Sequence, residues 1–123
     1  MTNHQLLDSR LLQSLKAKRI VDRVKALESL AESDDRRAIR ALIEELSARS
    51  PLVRSVAAEQ LGRMAKKEAV APLIKKLADS NSEVRMMAAR SLGNLLRGQA
   101  SPRALLSRLT DADELVRIGL HSP

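Results

Sequence analysis

Apolar residues recur along this chain in two alternating spacings. One is the i, i+1, i+4 set seen in Leu11-Leu12-Leu15, Leu42-Ile43-Leu46, Leu73-Ile74-Leu77 and Leu105-Leu106-Leu109. The other runs i, i+3, i+7 from an arginine, as in Arg54, Ala57, Leu61 and again in Arg85, Ala88, Leu92. Each spacing lays its residues along one stripe of a helix. Helices are predicted over 3–16, 20–32, 35–48, 51–64, 67–79, 82–97, 102–110 and 114–120, and no stretch shows the period-two alternation of a strand. The joints between them are short and none is rich in Gly or Ser, so no interdomain hinge is expected.

The two spacings repeat as a pair. Val53-Arg54 with Ala57, Ala58, Leu61 and Gly62 returns 31 residues later as Val84-Arg85 with Ala88, Ala89, Leu92 and Gly93. The same offset, or one residue more, produces the column Arg23, Arg54, Arg85, Arg117. A fixed period of this size marks a repeat architecture, in which each unit buries its apolar face against its neighbours. About four units of two antiparallel helices follow, at 3–33, 34–64, 66–97 and 100–121, within a single domain spanning 1–123. Ser50, Asn81 and Asp113 stand just before the second helix of units two to four, where such side chains accept from free backbone amides, and Pro51 falls at a first helical position. Unit one has Arg19 there, leaving Asp22 to favour the helix start by charge.

Composition narrows the chemistry. The 123 residues contain no Phe, Tyr or Trp, so no benzene, phenol or indole ring is available to stack on a nucleobase or wall a chromophore pocket. The absence of Cys removes disulfides, thiol nucleophiles and the usual structural zinc sites. The N-terminus lacks a basic start followed by an apolar run, and no stretch approaches a membrane span, which reads as a soluble, cytoplasmic protein. A net charge of +7 favours an anionic partner.

The segment Leu77-Ala78-Asp79 followed by Val84-Arg85-Met86-Met87-Ala88-Ala89-Arg90-Ser91-Leu92-Gly93 resembles the HEAT-like repeats typified by the phycobilisome-lyase type. The resemblance implies an all-α fold, a right-handed α-α superhelix. In it the first, or A, helices line the convex face and the second, or B, helices the concave, ligand-facing side. It also implies a ladder in which a turn Asp bonds a B-helix Arg of the neighbouring unit. Asp79 and Asp111 match that Asp, and Arg54, Arg85 and Arg117 that Arg, whereas Ala17 and Ala48 stand in place of the Asp in units one and two. Pro72 matches the proline that bends A helices in the family.

No catalytic constellation, glycine-rich phosphate loop or His-Glu pair is present, and His4 and His121 stand far apart in sequence, so no enzyme activity, cofactor or metal is expected. The reading that results is a protein-interaction scaffold whose concave face meets an acidic or mixed protein surface through Arg23, Arg54, Arg85, Met86 and Arg117. The same arginines read alternatively as structural rungs. A second reading is sequence-independent binding of nucleic acid or an anionic surface, for which Lys66, Lys67, Lys75 and Lys76 form the least neutralised basic patch. A third, resting on the resemblance, is an accessory subunit of a lyase. The short apolar helix 114–120 is poorly capped at its end and suggests self-association.

Overall fold

The computed structural model describes residues 19–97. Among them are five α-helices, one 3-10 turn and no strand: α1 (Ile20–Leu30), α2 (Arg36–Glu45), α3 (Pro51–Met64), the turn Lys67–Ala69, α4 (Val70–Lys76) and α5 (Ser82–Leu96). Helices α1, α3 and α5 are B helices of successive units, while α2 and the turn with α4 are A helices. The B helices stack on one another, α3 against α5 most extensively, and each A helix packs on the B helix that follows it. The architecture is an all-α, α-α solenoid.

Helix starts follow from side-chain chemistry. The Ser50 hydroxyl accepts from the Val53 amide at 3.3 Å, with Pro51 at the first helical position. Asn81 Oδ1 accepts from Glu83 and Val84 amides at 2.9 and 3.2 Å, and Asp35 Oδ1 from Arg37 at 2.8 Å. Helix α1 follows Arg19 without a side-chain cap and carries Asp22 in its first turn.

The A helices end at Glu45 and Lys76, three residues short of the predicted ends at 48 and 79, and both stop the same way. Leu46, Ser47 and Ala48 donate to Ile43, Glu44 and Glu45, and 31 residues on Leu77, Ala78 and Asp79 donate to Ile74, Lys75 and Lys76. These i→i−3 bonds tighten the last turn into a 3-10 form and satisfy carbonyls that an α-turn would leave free. The third A helix also starts late: Pro72 has no amide to reach the Glu68 carbonyl and its ring crowds that oxygen, so Lys67–Ala69 is a 3-10 turn and α-helix begins at Val70. Helix α3 ends on Ala65 at φ 55°, a left-handed cap made without glycine, whose amide bonds Leu61 at 3.3 Å.

The core is aliphatic and continuous across the units. Leu27, Leu30, Leu42, Leu46, Val53, Leu61, Leu73 and Ile74 are buried, with Ala57, Ala58 and Ala88 between the B helices. Small residues let α3 and α5 approach closely. A Cβ on Gly62 would lie 2.6 Å from Ser91 Cβ and 2.9 Å from its Cα, so backbone, and not a movable side-chain tip, blocks it. The Ser91 hydroxyl donates across the crossing to the Ala58 carbonyl at 2.6 Å, turning a polar side chain 2% exposed into a link between units.

Gly62→Ala is expected to destabilise the fold by about 1–3 kcal/mol through overpacking. At an unobstructed helical site the same change would gain up to about 1 kcal/mol. Chemical denaturation followed by circular dichroism measures the difference, and a gain in stability would show that the helices do not cross at this residue.

Candidate functional site

Arg54 leaves the first turn of α3 and reaches the turn before α5 in the next unit. Its Nε donates to Asp79 Oδ2 and its Nη2 to Asp79 Oδ1, both at 3.0 Å, a two-pronged pair whose side chains are 12% and 6% exposed. Its Nη1 donates to the carbonyls of Ala48 and Arg49 at 2.9 and 3.0 Å, closing the end of α2 in its own unit. Asp79 also accepts from the Asn81 amide at 2.9 Å, and Lys76 Nζ lies 3.7 Å away. Burial pushes the Asp79 carboxyl up, but the hydrogen bonds from Arg54 and Asn81 and the charges of Arg54 and Lys76 outweigh it, leaving the group below the usual carboxylate range. Arg85 Nη1 donates to the Asp79 carbonyl at 2.7 Å, repeating 31 residues on the bond that Arg54 makes to Ala48.

Arg23 occupies the same column but faces Ala48, which offers no carboxylate. Glu45, three residues earlier on α2, supplies one: Arg23 Nη2 donates to Glu45 Oε2 at 2.7 Å. The substitute reaches one nitrogen only, and the buried Arg23 Nε has no partner among the described residues. Register alone does not reveal Glu45, because it lies off the repeating column; the helical i, i+3 relation to Ala48 is the signal that finds it.

The outward stripe of α3 carries Leu52, Val56, Glu59 and Arg63, and that of α5 carries Glu83, Met87, Arg90 and Asn94, each at i, i+4, i+7, i+11. Between them lies a cleft of about 590 Å³ lined by Glu59, Arg63, Met87, Arg90, Ser91, Gly93, Asn94 and Arg97. Arg97 donates to Asn94 Oδ1 at 3.2 Å. These cleft arginines are not those of the repeating column, and sequence reasoning passed over them because they recur in no other unit: Glu59 stands where Arg90 does, and Asn94 where Arg63 does. Met86 is 52% exposed, although its equivalent Ser55 is buried, because α5 covers that flank of α3.

Of the basic patch, Lys67 and Lys75 are exposed, Lys66 is half-buried, and Lys76 is half-buried beside Asp79. Arg117, Asp111, Asp113, Ala17, His4, His121 and the helices placed at 3–16, 102–110 and 114–120 lie outside the described residues. No described helix is long and apolar enough to cross a membrane. A family model described as HEAT repeats matches residues 39–121, well over half of the chain. No curated protein matches the sequence.

Because the folded pKa of Asp79 is lowered, its pairing contributes stability that is fully present above the ordinary carboxylate value of about 3.9 and is lost as pH falls through the folded value. Denaturation midpoints of the wild type are therefore expected to fall below about pH 4, while those of Asp79→Asn start lower at pH 7 and converge on the wild type in acid. Parallel pH curves would show that the carboxylate adds nothing to the fold.

Proposed function

This chain belongs to the HEAT-repeat family, and from that premise we propose that it is a non-enzymatic scaffold binding a partner protein along the concave, B-helix side. The observation that carries the reading is the open cleft between α3 and α5, which Arg63, Arg90 and Arg97 line together with Met87 and a single acid, Glu59. Guanidinium forks beside a polarizable thioether suit a protein surface that presents carboxylates next to apolar side chains. Leu52 and Met86, each 52% exposed, extend the apolar contact along the same helices.

The arginine column divides by what each side chain already does. Arg23 and Arg54 are engaged within the array and serve binding by fixing the spacing of the B helices. Arg85 is exposed, holds the Asp79 carbonyl with one nitrogen, and with Met86 flanks the partner. In the same proposal Arg117 is the next member of the column, and 3–33 and 100–121 are further units of the array.

Capture of partners from the source cell with wild type and with Arg63→Glu/Arg90→Glu tests the reading. Both side chains are exposed, so the variant is expected to fold normally and to lose the partners the wild type retains. Retention of the same partners by the variant would contradict the B-helix side as the site. Binding of duplex DNA with a steep loss of affinity on adding salt, and no protein partner, would replace the reading with phosphate binding.

A further inference from the structure

A second groove runs between the A helices α2 and α4. The B helices meet closely at Gly62 and Ser91, but α2 and α4 touch each other little, so the A-helix layer is open between units two and three. Two cavities occupy the gap and share Ile43. One, of about 410 Å³, is lined by Arg36, Ile39, Arg40, Ile43, Lys67 and Glu68. The other, of about 340 Å³, is lined by Ile43, Leu46, Ser47, Ala71, Pro72, Lys75 and Lys76.

The floor and the walls differ in chemistry. Ile39, Ile43, Leu46, Ala71 and Pro72 give an apolar floor along the length of the groove. Arg36 and Arg40, one turn apart on α2, form one basic wall, and Lys67 and Lys75 stand on the other. All four are exposed and none forms an ion pair with a described residue. On the B-helix side, by contrast, Arg23 and Arg54 already hold carboxylates. Glu68 is the one acid lining the two cavities.

We propose that this groove docks an acidic amphipathic helix of a partner protein, with its apolar stripe on Ile43, Ala71 and Pro72 and carboxylates on both edges of the stripe paired with Arg36, Arg40, Lys67 and Lys75. An apolar floor offers nothing to a phosphate backbone, and a recessed groove meets a flat bilayer only along its rims. A helix with one apolar face and acidic flanks satisfies floor and walls together. This site is independent of the B-helix cleft, and either can stand without the other.

The probe is a fluorescein-labelled helical peptide of about four turns, Leu at i, i+3, i+4 and i+7 and Glu at the flanking positions, read by fluorescence anisotropy on the full chain at about 0.15 M salt. The wild type is expected to bind it at least about tenfold more tightly than a scrambled peptide of equal composition. Arg40→Glu/Lys75→Glu and, separately, Ile43→Gln are each expected to weaken it by about tenfold or more, while Arg63→Glu/Arg90→Glu leaves it unchanged. Circular dichroism of each variant confirms that the fold is retained. Equal binding of the scrambled peptide, no binding, an equal loss in Arg63→Glu/Arg90→Glu, or tighter binding of duplex DNA or of phosphatidylserine vesicles would overturn the proposal. Loss of captured partners in Arg63→Glu/Arg90→Glu alongside a failed peptide titration would overturn this groove and leave the B-helix reading in place.

Discussion

Successive units can share a buried arginine only if their B helices lie close enough for a side chain on one to reach the turn before the next. Gly62 and Ser91 set that distance, because a glycine faces backbone atoms that a Cβ could not approach. With the helices at this separation, the Ser91 hydroxyl reaches Ala58, and Arg54 spans from the first turn of α3 to the carboxylate of Asp79. The arginine then does two jobs. It satisfies the carbonyls left at the end of α2, and it neutralises a carboxylate that its surroundings have largely removed from water. Units two and three are thus joined by apolar burial, a hydroxyl link and an ion pair.

The same closeness has a consequence on the other layer. In a stack whose inner helices touch along small residues, the outer helices are held further apart. Helices α2 and α4 leave a groove with isoleucine in its floor. The two layers consequently offer different chemistry to other molecules. Part of the positive charge on the B-helix side is consumed in holding the stack, and the rest borders a polar cleft. The A-helix layer keeps Arg36, Arg40, Lys67 and Lys75 in solvent around an apolar trough.

Much of the fold was legible in the sequence, because the 31-residue offset fixes which residues are equivalent and helical geometry fixes which face they occupy. Ser50 and Asn81 mark their helix starts by side-chain chemistry alone, and 51–64 is the extent of α3 that the apolar spacing predicts. The ends of the A helices were less legible, since Leu46 and Leu77 continue the apolar stripe into turns whose bonds are 3-10. The site was the least legible part. A column of arginines stands out in the register, but register does not say whether a carboxylate waits at the other end. Glu45 replaces the missing acid from a position outside the column. The cleft arginines and the A-helix groove depend on how far apart neighbouring helices lie, and composition and spacing do not encode that distance.

Unit two provides a natural gap in the ladder, where Ala48 stands in the place of Asp79 and Arg23 Nε is buried without a partner among the described residues. Replacing Ala48 with Asp tests most directly whether a turn carboxylate offered to the arginine of the preceding B helix is what ties one unit to the next. A carboxylate there can accept from Arg23 Nε and from the Ser50 amide, as Asp79 accepts from Arg54 and Asn81. Against a like-charge cost of a few tenths of a kcal/mol from Glu45 one turn away, the unfolding free energy should rise by about 1–2 kcal/mol. An unchanged or lowered unfolding free energy, with the helical content intact, would contradict the role assigned to the rung.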